Sequence, residues 1–399
     1  MYGELGRELQ RELDALAAQG LFKEERILEG PQGAVVCADG QTLLNFCANN
    51  YLGLASDPRV VEAARSALSV WGFGLSSVRF ICGTTRLHRE LEAALSRFLG
   101  TEDTLLYAAC FDANGGVFEP LLGEDCAIVA DRLNHASIID GVRLAKASRH
   151  IYEHSDLDAL AQALRACAGA RRRLIVTDGV FSMDGDYARL PEICELADRH
   201  GALLLVDDSH ATGFVGPGGR GTGERFGVAP RVDLVTTTLG KALGGALGGC
   251  TSGRREVIAW LRQKSRPYLF SNSLPPMVCA AALEVLRILA EDPTPRARLA
   301  ANQARLRGGL RALGFDVDPG DHPIVPVHFR RQSDDAVVAQ RFSRELLAEG
   351  IYAIGFSFPV VPRGQARIRL QASAAHTPEQ VDRCLEAFAT VGRRLGVVG

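Results

Sequence analysis

Thr236-Thr237-Thr238-Leu239-Gly240-Lys241 closes an apolar run on a lysine, inside a glycine-rich turn that continues Ala242-Leu243-Gly244-Gly245. A lysine in that place lies beside buried surface. Burial disfavours the ammonium form, and the neutral amine is what a Schiff base with an aldehyde requires. Lys241 alone reads equally well as a surface lysine in a turn. Asp207-Asp208-Ser209-His210 shifts the balance, because it follows the very hydrophobic run Ala202 to Val206. A carboxylate at such a position needs a cationic partner, which a protonated ring nitrogen or a structural arginine would supply. With a pyridinium, the bond is worth about 1.5–3 kcal/mol and makes the ring an electron sink for a carbanion at an amino acid's Cα.

Three further segments carry polar groups at the ends of apolar runs. Tyr107-Ala108-Ala109-Cys110-Phe111-Asp112-Ala113-Asn114-Gly115-Gly116 reads as strand, tight turn and helix start, an arrangement whose backbone N–H groups suit a phosphate dianion. His135, in Asn134-His135-Ala136-Ser137, could stack its flat ring on a flat cofactor or be a satisfied structural histidine. Ser182 lies in Val180-Phe181-Ser182-Met183-Asp184-Gly185. Two nucleotide motifs fail on context. Gly216-Pro217-Gly218-Gly219-Arg220-Gly221 has the G-x-G-x-x-G spacing but no strand leading in or helix leading out, and Gly240-Lys241 is followed by Ala242 rather than Ser or Thr.

The elements that must position these groups are short Val/Ile/Leu-rich runs alternating with helix-length segments: TLLYAA, CAIVA, RRLIVTDGV, ALLLVDDSH and DLVTTTLGK. That alternation predicts an α/β fold with a parallel sheet, whose carboxyl ends open on the ligand crevice. Residues 1–50 read as an N-terminal segment that opens on an amphipathic charged helix, and 51–285 as the large domain. A smaller α+β domain follows over 286–399, entered through one long charged helix (LEVLRILAEDPTPRARLAANQARLRGGLRAL).

A net charge of −2 offers no reason to bind nucleic acid, and no apolar run approaches a membrane span, so a cytoplasmic enzyme is expected. Ten cysteines without a C-x-x-C read as free thiols, with no metal site.

Strand-end Cys-Phe, His, Asp-x-x-His and Thr-x-x-Lys in this order resemble the α-oxoamine synthases, fold-type I pyridoxal 5′-phosphate (PLP) enzymes that condense amino acids with acyl-CoA thioesters. The resemblance runs essentially end to end. It implies a mostly parallel seven-stranded sheet in the large domain and PLP as cofactor. GLFKEERI, NFCANNYLGLA, SVRFICGT, FDANGGVFE, LNHASIIDGVRL, SRPYLFSNSLPP and GQARIR are most similar to members that interconvert glycine and acetyl-CoA with 2-amino-3-oxobutanoate and CoA.

The resemblance further implies that Lys241 holds the cofactor covalently and moves the Cα proton, that Asp207 pairs with the ring nitrogen, and that His210 pairs with the phenolic oxygen. His135 would stack on the ring, and Cys110, Phe111 and Thr238 would hold the phosphate. Ser182 would touch the phenolic oxygen or substrate, while Asn49 and Arg369 would receive the amino-acid carboxylate. Phe270 and Ser271 would reach a neighbouring subunit's cofactor, implying a homodimer. Sister synthases that take succinyl-CoA carry threonine and asparagine around the arginine of SVRFICGT. Here Val78 and Phe80 flank Arg79, and apolar side chains cannot satisfy a second carboxylate. A noncatalytic partner chain would lack the lysine.

Overall fold

The computed structural model describes residues 1–19 and 21–399; Gly20, which opens the GLFKEERI stretch, lies outside the described residues. Seven strands form the principal sheet: β1 (Asp103–Tyr107), β2 (Ala127–Asp131), β3 (Ser148–Tyr152), β4 (Arg173–Asp178), β5 (Leu203–Asp207), β6 (Leu234–Thr238) and β7 (Gly249–Gly253). Their spatial order is β1-β7-β6-β5-β4-β2-β3. Pairs β3 to β2, β2 to β4, β4 to β5 and β5 to β6 are parallel, while β7 runs antiparallel to both β6 and β1. The sheet is therefore mostly parallel.

Five of these strands are the apolar runs visible in the sequence. Alternate side chains enter two separate cores: Leu174, Val176 and Leu205 pack on one face, and Ile175, Leu204 and Val206 on the other. Both faces are dry, so the runs are continuously hydrophobic rather than alternating, as a helix-covered parallel sheet demands. Each such aliphatic side chain contributes roughly 1.5–3 kcal/mol by its burial.

The other two strands escape a reading by hydrophobic pattern. β3, Ser-Arg-His-Ile-Tyr, lies at the sheet edge with most of its side chains wet. β7, Gly-Cys-Thr-Ser-Gly, is buried throughout yet has no large aliphatic residue. Its small side chains meet a spatial requirement. A Cβ on Gly249 would fall against the backbone of Cys110 and 2.6 Å from the carbonyl carbon of Ala109.

The chain divides into two compact units, one of residues 52–182 and 186–296, the other of residues 1–51, 183–185 and 297–399. The division near the C-terminal part thus falls at 296/297 rather than 285/286, and residues 1–51 group with the C-terminal segment. The single long helix expected there is two, Pro276–Glu291 and Thr294–Ala312. Asp292-Pro293 separates them, because proline lacks the N–H that would continue the ladder and pushes the residue before it out of the helical region. In the second unit, Ile324–His328, Arg367–Gln371 and Ile354–Phe356 form an antiparallel sheet, and Phe315, Phe329, Phe342 and Phe388 cluster in its core. The N-terminal helix, Tyr2–Ala18, buries none of its side chains, and no described helix is long and apolar enough to cross a membrane.

Because the obstacle at Gly249 is backbone, which cannot swing aside, Gly249→Ala should destabilise the protein by about 2–4 kcal/mol through overpacking. Denaturant unfolding checks this; a midpoint equal to that of the unaltered protein would show that β7 and the Ala109 turn can separate at no cost.

Candidate active site

The parallel register sets Asp178 and Asp207, at the carboxyl ends of β4 and β5, side by side with Thr236 in the middle of β6. Asp207 is almost sealed from solvent, at 5% exposure. Its Oδ2 accepts a 2.6 Å hydrogen bond from Asn114 Nδ2, and its Oδ1 accepts one of 2.8 Å from the Ser209 backbone N–H. Asn114 is itself fixed at both ends of its amide: Nδ2 lies 2.9 Å from Ser137 Oγ, and Oδ1 accepts from Thr236 Oγ1 at 2.7 Å. It occupies the short helix Cys110–Gly115, four residues after Cys110 and so on the same face.

Asp208, the next residue along, turns the other way. Its carboxylate accepts from the Thr222 hydroxyl and backbone N–H at 2.6 and 2.9 Å, and burial raises its pKa to about 7 despite those bonds. Asp208 lines a separate cavity of about 390 Å³ that holds no lysine. Of the adjacent carboxylates, Asp207 alone faces Lys241's cavity, as opposite pleat faces require.

His135 sits at the start of the helix Ala136–Leu144 and does two things at once. Its Nδ1 accepts from the Ser137 backbone N–H at 3.2 Å, capping the helix, while its ring edge meets Phe111 with centroids 6.5 Å apart. Burial lowers its pKa, the Asp207 charge raises it and the Lys241 charge lowers it, for a net downward shift that leaves the ring neutral at physiological pH. The His135 backbone N–H donates to Asp178 Oδ2 at 3.0 Å. Burial, then the neighbouring Asp207 charge, push the Asp178 carboxyl well above the usual carboxylate range.

Lys241 follows a turn pinned by Thr238, whose Oγ accepts from the Gly240 N–H at 2.9 Å and donates to the Gly248 carbonyl at 3.3 Å. Lys241, Asp207, His210 and His135 share a cavity of about 190 Å³. Cys110, Phe111, Ser182 and Thr238 line it as well. Asn114, Ser137, Asp178 and Ser209 add polar groups to the lining, and sequence reasoning assigned them no part. The i, i+4 spacing of Cys110 and Asn114 was the available signal for one of them.

The remaining expected residues do not line this cavity. Asn49 and Arg369 belong to the other unit. There Arg369 is buried with its guanidinium 4.7 Å from the Phe356 ring centre, and Asn49 Oδ1 is a buried acceptor with no hydrogen bond among the described residues. Burial raises the Cys47 thiol to about 12, and the Arg369 charge acts against that rise, so the 47–51 segment lies within reach of this cation. Phe270 is 69% exposed at the end of the helix Arg266–Phe270, followed by a partly exposed Ser271. Arg79 is buried in an ion pair with Glu92 at 2.9 Å, whereas Phe80 beside it is exposed, so neither Phe80 nor Val78 shapes the lysine cavity within one chain.

Residues 41–388 match the model of the aminotransferase class I and II family. Across its whole length the chain is 56% identical to the full length of the 2-amino-3-ketobutyrate coenzyme A ligase of Escherichia coli K12. The human mitochondrial protein of the same name is 50% identical over 98% of this chain and 93% of its own. An 8-amino-7-oxononanoate synthase of Thermosipho melanesiensis is 47% identical over 97% and 98% of the two chains. Among solved structures, SPT with its PLP internal aldimine superposes with a TM-score of 0.93 at 33% identity, covering 98% of each chain. With its family model spanning most of the sequence and full-length relatives at such identity, the chain belongs to the aminotransferase class I and II family.

Proposed function

We propose that this chain is a PLP-dependent acyltransferase that interconverts glycine and acetyl-CoA with 2-amino-3-oxobutanoate and CoA. The observation that carries the reading is the meeting of Lys241, Asp207 and His135 in one cavity. The names of the full-length relatives in Escherichia coli and human support the acetyl and glycine assignment over the sister synthase, whose identity is lower.

The residues present fit the cofactor. Asp207 offers a carboxylate that two donors hold in one orientation, which suits a protonated ring nitrogen. His135 offers a neutral, flat ring, and Gly249 lets the Ala109–Cys110 backbone come close enough to the sheet to form the floor of an anion cradle. PLP, when bound, supplies an electron sink that stabilises negative charge at the amino acid's Cα.

The chain's own groups do the rest. The Lys241 amine would hold the cofactor's aldehyde and, as a free amine, would take the proton from the glycine Cα. Asp207 keeps the ring nitrogen protonated. His210 would pair with the phenolic oxygen, Ser182 would touch that oxygen or the substrate, and the Cys110 and Phe111 backbone with Thr238 would receive the phosphate. Arg369 and Asn49 receive the substrate carboxylate, for which a planar guanidinium fork is suited. The exposed Phe80, Ile81 and Phe270 support a homodimer in which Phe270 and Ser271 reach the neighbouring cofactor. We assign this interconversion to the breakdown of threonine to glycine, in the cytoplasm.

Glycine supplied with a panel of acyl-CoAs, with thiol release as the readout, tests the reaction directly. The acetyl thioester should exceed succinyl-CoA in kcat/KM by at least about tenfold, because leaving a buried carboxylate without donors costs upwards of about 1–3 kcal/mol. A preference for succinyl-CoA would overturn the acetyl assignment. Lys241→Ala should fold, yet lose the absorbance band that borohydride removes, with turnover reduced by about 10³-fold or more. Turnover at the normal rate in that variant would exclude Lys241 as the base. In Asp207→Asn the cofactor should still bind, but Cα proton loss, followed by stopped-flow absorbance, should slow about ten- to a hundredfold, the kinetic equivalent of about 1.5–3 kcal/mol. An unchanged rate would remove Asp207 from the ring nitrogen.

A further inference from the structure

His154 and Asp186 take no part in the chemistry proposed above, yet they meet beneath one of its loops. His154 follows β3 by two residues, and both edges of its ring face carboxylates. Nδ1 lies 3.1 Å from Asp131 Oδ1 at the end of β2, and Nε2 lies 3.0 Å from Asp186 Oδ2. A neutral imidazole has one N–H and one lone pair, so only the imidazolium can donate to both carboxylates. Burial pulls the His154 pKa down, but the hydrogen bonds to Asp131 and Asp186 outweigh it and raise it to about 10. The ring also packs edge-on against Phe181, with centroids 4.3 Å apart.

Asp131 is a firm anchor. It is buried, and it also accepts from the backbone N–H groups of Leu133 and Ser155 at 2.9 and 3.1 Å. Asp186, by contrast, lies in the loop 179–188. The neck of that loop is closed by the Ala188 N–H on the Gly179 carbonyl at 3.0 Å and the Phe181 N–H on the Asp186 carbonyl at 3.0 Å. Ser182, next in the chain to Phe181, lines the Lys241 cavity. Four residues separate Phe181 from Asp186, so fixing one side of the neck fixes where the other departs.

We propose that His154 is a positioning residue whose cation clips Asp186 to Asp131, thereby holding the neck of the 179–188 loop and, through it, Ser182 at the Lys241 cavity. The proposal rests on the functional reading of that cavity but concerns the loop, so the two can fail separately. His154→Gln removes the charge and one of the two bonds; Asp186→Asn weakens the loop side alone and serves if the first variant does not fold.

In the holoenzyme of either variant, hydrogen exchange at the Phe181 and Ala188 amides should quicken by about tenfold or more. The glycine KM should rise about fivefold, while the acetyl-CoA KM stays within about twofold. With Ser182→Ala already present, adding His154→Gln should raise the glycine KM by less than about twofold, because the group being positioned is gone. Unchanged exchange at both amides, or a glycine effect that persists undiminished in the Ser182→Ala background, would overturn the proposal. If the unaltered enzyme makes no product from glycine and acetyl-CoA, the functional reading fails, and the exchange rates still decide whether His154 holds the loop.

Discussion

The site is organised around one costly object, a carboxylate almost out of water at the end of a strand that is dry on both faces. An ionised group in that setting is tolerable only with directed donors. Asp207 has them in Asn114 and the Ser209 backbone, one on each oxygen. Neither donor carries a charge, so the carboxylate retains its negative field toward the cavity rather than spending it on a structural arginine. The short helix Cys110–Gly115, the cap at His135 and the middle of β6 are then linked through a single amide, since Asn114 also touches Ser137 and Thr236. Moving any one of these elements would break a bond on a group that cannot be resolvated.

The same economy of charge extends along the strand ends. Asp178 is the cross-strand neighbour of Asp207, and two ionised carboxyls at that spacing in a dry place would repel strongly. Burial and the Asp207 charge hold Asp178 toward its neutral form, while its oxygen still accepts the His135 N–H. His135 is kept neutral as well. Lys241 therefore shares its cavity with Asp207 and with two groups, Asp178 and His135, whose charged forms burial disfavours, a setting suited to an amine that must alternate between bond-forming and proton-carrying states.

Packing limits are as strict as the electrostatic ones. β7 carries glycine at both ends because Cys110 and Ala109 lie against Gly249 on one side, and because the Asp233 carbonyl and Leu234 crowd the Cβ position of Gly253 on the other. A strand chosen for closeness instead of hydrophobic bulk is what lets the turn before Cys110 settle on the sheet. The antiparallel direction of β7 between β1 and β6 follows from its place in the chain, shortly after the Lys241 turn that ends β6.

Local pattern in the sequence was enough for the α/β class, for five of the seven strands and for the polar groups at their carboxyl ends, because a strand dry on both faces must be written in branched aliphatic residues. It was enough, too, to single out eight of the residues that line the Lys241 cavity, since in a parallel sheet the residues just after those runs converge. Pattern could not find β3, whose edge position leaves it polar, or β7, which is selected by contact. It also joined two helices across Asp292-Pro293, where the apolar spacing continues but the backbone cannot. Which of Asp207 and Asp208 faces the lysine depends on the pleat and not on residue type. The part played by Asn114 rests on partners 93 and 122 positions away, and that of His154 on carboxylates 23 positions before it and 32 after. Separations of that length leave no periodicity in a sequence, so only the folded sheet, by bringing its strand ends together, could decide them.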